Sequence, residues 1–382
     1  MLNWVSNQND SFLNPRFSAE QYKSLMEILS EFEGEFRSHI FILTSGTTAQ
    51  SIQDLKWVAL GKEAFLVSAE AVNAHLESHR SDVWIHTLPD FHVGGLGIWA
   101  RSFLTGARVV KLAGWEPAGF CKMISEESGS LTSLVPAQVF DLVSGEFQAP
   151  SSVRAVLVGG GALSPALYEK GRELGWPLLP TYGMSETCSQ VATARLKGDG
   201  RLEVLPHLQL VEMQDGILGI QGRSLLTAYL YREKGQAVCM DPKVDGIFVS
   251  SDRGRLDGKY LSILGRSGDF IKIGGESVEL GRLKDILDGL RIQLQLEADV
   301  AILAFPDERL GHVIHLVSDR KLNSDGASAL IARFNSQVLA FERIRRHHSL
   351  DSLPRNALGK LNSAKCLEDV GQSGPGGRGS VR

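Results

Sequence analysis

The sequence predicts an α/β protein. A large N-terminal domain of parallel sheets with flanking helices carries a small antiparallel subdomain, and a small α+β domain follows at the C-terminus. Three observations carry this reading. Short apolar runs alternate with helical patterns from His39 to the helix that Ser164-Pro165 starts, the grammar of a parallel sheet with helices on its faces. After about residue 200 the runs become short strands bounded by Gly and Asp, which suits an antiparallel sheet. From Gly265 a smaller set of helix and strand signals begins.

Leu25, Ile28, Leu29 and Phe32 share one face at helical spacing, so a helix follows a polar lead-in within residues 1–38. His39–Leu43 reads as a buried strand that runs straight into Thr44. Val83–Leu88, Arg108–Leu112, Leu131–Val135 and Val153–Val158 are further strands. Helices are expected over 69–77, 117–127 and 137–143, and after Ser164, where Pro165 suits the first helical position. The antiparallel subdomain takes Leu208–Met213, Gly216–Gln221, Gly246–Ser250 and Tyr260–Leu264. The last domain takes helices at Leu280–Leu290 and Ser328–Leu339 and strands at Asp299–Ala304 and Val313–Val317. The expected domains are therefore 1–264 and 265–370, with a Gly- and Ser-rich tail, 371–382, expected to be disordered.

Hydrophobic residues make up 43% of the 382 positions, and the formal net charge is -4, so no basic stripe points to nucleic acid. Cys121, Cys188, Cys239 and Cys366 form no CxxC pair, which argues against a zinc site and fits a reducing compartment. The N-terminus lacks the pattern of a signal peptide, and no apolar stretch is long enough to insert in a membrane. A cytoplasmic protein is expected, with nothing to prevent a homo-oligomer. His75 and His79 are four apart on the expected helix, a metal spacing without an evident third ligand. His347 and His348, beside Arg343, Arg345 and Arg346, read as a basic helix face, either solvated or open to phosphates.

Two segments carry chemistry. Thr44-Ser45-Gly46-Thr47-Thr48 follows a strand: Gly46 lets the backbone turn closely, and the hydroxyls and N–H groups can cradle phosphate oxygens. A Ser/Thr-rich turn is the ordinary alternative. In Tyr182-Gly183-Met184-Ser185-Glu186-Thr187, Tyr182 can stack on a flat base and Gly183 permits close approach. Glu186 can hold Mg²⁺ through one oxygen while phosphates complete its shell, and Thr187 can donate to a phosphate. A loop capping a buried strand is the competing account.

In order along the chain, these segments resemble those of the adenylate-forming enzymes (acyl-CoA synthetases, peptide-synthetase adenylation domains, luciferases). TSGTT at 44–48 is similar to their phosphate loop and YGMSET at 182–187 to their adenine- and magnesium-binding loop. Asp252 in Ser251–Gly254, then Tyr260–Arg266, resembles their ribose-binding and hinge-leading segments. Pro354–Lys360 resembles their catalytic-lysine loop. Gly160-Gly161-Ala162 and Ile271–Glu276 also match. Within the family, YGMSETCSQ and Leu88–Gly95 are most similar to the o-succinylbenzoate–CoA ligases of menaquinone synthesis. The likeness covers about residues 39–365, in a chain shortened before the phosphate loop.

The resemblance implies ATP, Mg²⁺ and CoA as small-molecule partners of a carboxylic acid, and two steps through an acyl-adenylate. It implies that Lys360 bridges carboxylate and α-phosphate, that Glu186 holds Mg²⁺, and that Thr44, Ser45, Gly46, Thr47 and Thr48 hold the outer phosphates. Gly160, Gly161, Ala162 and Tyr182 would line the adenine, Asp252 would take the ribose hydroxyls, and Arg266 would reach ribose or phosphate. His92 would gate the acid pocket, with Ser189, Gln190 and Thr193 against the acid. The last domain would be mobile, turning about Gly268 and Asp269 to bring Gly274 and Gly275 to CoA. Two departures stand out: the phosphate loop continues Ala49–Gln53, with Ile52 where a lysine is usual and Lys56 the nearest replacement, and the hinge carries Gly268. Another aryl or fatty acid, a carrier-protein thiol, or a non-catalytic adenylate binder stay open as alternatives.

Overall fold

A polar side chain on a strand buried on both faces usually finds a hydrogen-bond partner. Ala155–Val158 is wholly apolar, and every residue of it is buried. Its neighbour Leu131–Leu134 is equally buried and carries Thr132, whose hydroxyl donates to the Ile85 carbonyl at 2.8 Å. With Val83–His86, Arg108–Lys111 and Leu178–Met184 they form the parallel half of one large sheet. The computed structural model describes residues 2–44, 55–266, 270–274, 276–355 and 360–372. Two compact units emerge, the body of the first ending at Leu264 and that of the second beginning at Gly265.

Helices connect the parallel strands. Lys62–His75, Val93–Thr105, Pro117–Glu127, Pro136–Ser144 and Pro165–Glu173 alternate with them in sequence. Proline opens three of these helices, where its missing N–H costs nothing. Glu116 caps the third by accepting from the Ala118 amide at 2.9 Å.

At Leu178–Met184 the sheet changes character. This strand pairs in parallel with Ala155–Val158 on one side and antiparallel with Ser189–Ala194 on the other. Leu202–Val204, Tyr260–Arg266, Ile247–Asp257, Ile217–Gly222 and Leu208–Glu212 continue beyond it. A second sheet of the same unit runs Asp10–Phe12, His39–Leu43, Trp57–Gly61, Ala228–Glu233, Gln236–Met240. The last two form a tight hairpin whose turn residues, Lys234 and Gly235, both have positive φ, at 50° and 83°.

The second unit has a sheet of Glu276–Glu279, Phe270–Ile273, Gly311–Asp319 and Val300–Asp307, with Ile344–Leu350 parallel to Gly311–Asp319. Helices Leu280–Gln293 and Ser324–Asn335 share a core with it. The helix expected at Ser328–Leu339 starts four residues earlier because Asn323 caps it, accepting from the Gly326 amide at 2.8 Å. His347 and His348 lie on the strand Ile344–Leu350, not on a helix. Gly371 and Gln372, expected to open a disordered tail, instead end the helix Ser363–Gln372, and 373–382 lie outside the described residues. The helix Lys62–His75 ends at His75, so His79 does not share its face; His75 bonds the Ala194 carbonyl and His79 lies against Asp82. Among the described residues no helix is long and apolar enough to cross a membrane.

Candidate active site

In open α/β sheets, ligands settle outside the carboxyl ends of strands where the topology switches. Leu178–Met184 ends at such a point. Tyr182, Gly183 and Met184 extend the strand, and only Ser185–Thr187 turns, as one 3₁₀ turn. The strand Ser189–Ala194 then leaves antiparallel.

Close packing explains Gly183. A Cβ there would lie 1.8 Å from the Ser189 carbonyl oxygen, so glycine is required by the neighbouring strand rather than by a ligand. Thr187 is also corrected. Its side chain is fully buried, and its hydroxyl lies 3.1 Å from the carbonyls of both Met184 and Ser189 while accepting from the Met184 amide. The hydroxyl closes the turn and is not turned towards a phosphate. Cys188 and Ser189 follow with φ of 53° and 115°, a strained pair of the kind that clusters at functional sites.

Glu186 is half-buried, and its Oε1 accepts from the Tyr229 hydroxyl at 2.7 Å. Burial, and then the charge of Glu186, raise the pKa of Tyr229, so the phenol stays a donor. Lys56 sits over the tyrosines of the same strand, its ammonium 4.4 Å from the Tyr231 ring centre and 5.6 Å from that of Tyr229. The Thr44 amide donates to the Lys56 carbonyl at 2.9 Å, joining the two chain segments at this point. Ser45, Gly46, Thr47, Thr48 and Ala49–Gln53 lie outside the described residues. No group of three His, Cys, Asp or Glu side chains that could hold a metal occurs among the described residues. A lone carboxylate oxygen suits Mg²⁺, which takes one or two carboxylates and completes its shell with phosphates and water.

Tyr182 and Asp252, read separately as base and ribose contacts, meet: the Tyr182 hydroxyl donates to Asp252 Oδ2 at 2.8 Å. Asp252 is buried on Ile247–Asp257. Gly160, Gly161 and Ala162 are exposed just past Ala155–Val158, and the register Val158 opposite Pro180 puts them beside the end that carries Tyr182. Gly160 has φ +79°, which favours glycine.

His92 is the N-cap of Val93–Thr105, with its ring against Phe91 at 4.6 Å between centres. The same helix carries a residue that the sequence reading passed over. Arg101 is fully buried and lies over Trp84, 5.4 Å from its ring centre. Its Nη2 donates to Gln190 Oε1 at 2.8 Å and lies 3.5 Å from Ser189 Oγ. Gln190 in turn donates to Thr193 Oγ1 at 2.8 Å. The three residues expected to touch an acid thus gather around a guanidinium whose Nε and Nη1 have no partner. Burial pulls its pKa down to about 9, with no carboxylate among the described residues acting on it. An arginine as the one charged residue of the stretch 93–105, nine residues after His92, was the available signal.

The remaining candidates belong to the second unit. Arg266 ends the strand Tyr260–Arg266, and Gly274 has φ +61° with its amide donating to the Leu310 carbonyl at 2.8 Å. Lys360 is half-buried, one residue before Leu361. Arg355 pairs with Leu361 in a β-bridge and grips Asp299 through two bonds of 2.8 and 2.6 Å. Gly268, Asp269, Gly275 and 356–359 lie outside the described residues.

Known proteins support this arrangement. A sequence profile for AMP-binding enzymes matches residues 35–210. The 2-succinylbenzoate–CoA ligase of Bacillus mycoides is 30% identical over 340 residues, 84% of this chain and 68% of the relative. That of Bacillus pumilus is 27% identical over 88% of this chain and 70% of its own length. The fold matches o-succinylbenzoate CoA synthetase from Bacillus subtilis, solved with its acyl-adenylate intermediate, at a TM-score of 0.78 with 23% identity, covering 98% of this chain and 84% of that one. The chain belongs to the family of AMP-binding, adenylate-forming enzymes.

Proposed function

We propose that this protein is an ATP-dependent acid–thiol ligase that converts 2-succinylbenzoate, ATP and CoA into 2-succinylbenzoyl-CoA, AMP and pyrophosphate, in menaquinone biosynthesis. The relatives named above support the class of reaction. Arg101 supports the substrate. A buried guanidinium with two nitrogens unpartnered is costly unless an anion completes it. 2-Succinylbenzoate has two carboxylates, one to be activated and one to spare. The spare one meets the planar donor fork of Arg101. A fatty acid or benzoate has nothing to place there.

In the first step an oxygen of the reacting carboxylate attacks the α-phosphorus of ATP, forming the acyl-adenylate and releasing pyrophosphate. In the second, the thiol of CoA gives up its proton to water, its sulfur attacks the acyl carbonyl, and AMP leaves with the electron pair of the broken C–O bond. The first step brings two anions together, so positioned cations matter most there. Lys360 neutralises charge between carboxylate and α-phosphate. Tyr182, Asp252 and Gly160–Ala162 hold the nucleoside, and Thr44 with Lys56 borders the outer phosphates. Glu186 would hold Mg²⁺, which when bound offsets the charge of those phosphates. His92 stands beside the acid, at the start of the helix that carries Arg101. The four cysteines are free thiols, which fits a cytoplasmic enzyme.

The test is a panel of acids with ATP, Mg²⁺ and CoA, with AMP and acyl-CoA followed by mass spectrometry. 2-Succinylbenzoate is expected to turn over, and benzoate and octanoate to give at most traces. Efficient turnover of a monocarboxylic acid with none of the dicarboxylate would discard the substrate and retain the ligase.

A further inference from the structure

Tyr229 lies on Ala228–Glu233, remote in sequence from every motif described above. Its register is fixed, opposite Val58 across the strand Trp57–Gly61. Successive side chains of a strand alternate, so Tyr229 and Tyr231 share a face. That face carries Lys56 against both rings and, through the Tyr229 hydroxyl, Glu186 at 2.7 Å. One phenol therefore stands between a cation on the phosphate side of the site and its metal-binding carboxylate.

We propose that Tyr229 is a positioning residue that aims Glu186 at the Mg²⁺ of the bound nucleotide. The inference rests on the function proposed above. The geometry carries it. A carboxylate on a single 3₁₀ turn is free to rotate about its own side-chain bonds. The phenol donates to Oε1 and thereby fixes the carboxylate plane, leaving Oε2 to coordinate. Two further constraints hold the donor in place: the antiparallel pairing at Tyr229–Val58, and the bond from the Leu226 amide to the Glu186 carbonyl at 2.8 Å, which ties the turn to the segment leading into the strand. Outer partners of this kind orient metal ligands, and their loss typically costs about 10–100-fold in metal affinity. Hydrogen bonding within the site thus reaches the metal from a strand that no nucleotide motif marks.

Tyr229→Phe keeps the ring, and with it the seat of Lys56, and removes only the donor. Mg²⁺ would be titrated into the full-length protein with saturating ATP by calorimetry, and Mn²⁺ followed in parallel by electron paramagnetic resonance. AMP binding without metal serves as the control for an intact nucleoside site. The expected result is a Mg²⁺ dissociation constant raised about tenfold, with AMP affinity unchanged. In a Glu186→Gln background the second substitution is expected to add nothing, because Tyr229 acts through Glu186. The proposal is overturned if Tyr229→Phe binds Mg²⁺ as the unmodified protein does. Equal loss of AMP and metal binding overturns it too, since that marks a role in folding. A wild-type protein that binds AMP but shows no metal-dependent ATP binding defeats the inference alone. One that binds neither nucleotide defeats the ligase reading with it.

Discussion

Among the described residues Arg101 pairs its charge with no acid, and it is held by Gln190, Ser189 and the face of Trp84. The burial that pulls its pKa down to about 9 also penalises the charged form in the fold. Catalysis and stability should therefore respond differently to its loss. Arg101→Met is expected to lower kcat/KM for 2-succinylbenzoate about 100-fold, the order of a lost charged hydrogen-bonded contact of about 3 kcal/mol. The thermal midpoint should fall little or rise, because an unpaired buried charge is gone. Melting curves and steady-state kinetics on the same preparation check both. A large loss of stability with kcat/KM unchanged would make Arg101 a structural residue. The sequence concealed this residue because its partners lie far away, on Ser189–Ala194, about ninety positions on. Glu186 and Tyr182 stand in a run whose residue types point to nucleotide chemistry, whereas Asp252 is marked only by the resemblance of Ser251–Gly254 to the family's ribose-binding segment.

At the scale of elements, the N-terminal segment fastens to the first unit through Lys62. This lysine is fully buried at the start of the helix Lys62–His75, and its ammonium meets Asp10 Oδ2 at 2.6 Å, the Asn3 carbonyl at 2.9 Å and Ser6 Oγ at 2.9 Å. Trp4 enters the core of the unit beside Phe65, at 5.6 Å between ring centres. Lys62→Ala removes the hub of these contacts and is expected to cost about 3 kcal/mol, read by urea unfolding. In the second unit, neighbouring strands bring His348 Nε2 to 3.0 Å from His315 Nδ1, with Phe305 stacked on both rings and Arg346 adding charge nearby. His347 bonds Ser318 on the same sheet. Burial, then His348 and Arg346, hold the pKa of His315 down to about 4, and burial also lowers His348. An unfolded histidine takes up its proton at a higher pH, so the unfolded chain binds more protons between about pH 6.5 and 4. Stability is thus full above about pH 6.5 and declines as pH falls towards 4. Thermal midpoints measured across that range should drop, and His315→Asn should flatten the slope.

The whole molecule shows which parts of a fold a sequence can announce. Buried parallel strands and proline-started helices were legible because each is a local pattern: His39–Leu43 and Pro117–Glu127 stand where their patterns put them. Ser189–Ala194 was not, since small residues such as Ser, Ala and Thr give no periodic signal, and only its pairing between two other strands makes it a strand. Ala228–Glu233, and with it Tyr229, was passed over although Tyr-Leu-Tyr suits a strand, and its pairing with Trp57–Gly61 settles it. His347 and His348 were misplaced because charge clustering carries no period, whereas pairing with Gly311–Asp319 settles the strand.

The central claim is that the acid is activated by transfer to the α-phosphate of ATP. Its most direct test uses 2-succinylbenzoate with heavy oxygen in both carboxylates, with ATP, Mg²⁺ and CoA, and mass spectrometry of the AMP released. The account predicts AMP carrying one heavy oxygen per turnover, and loss of that product in Lys360→Ala. Acyl-CoA formed alongside unlabelled AMP, or no AMP at all from the unmodified protein, would contradict it.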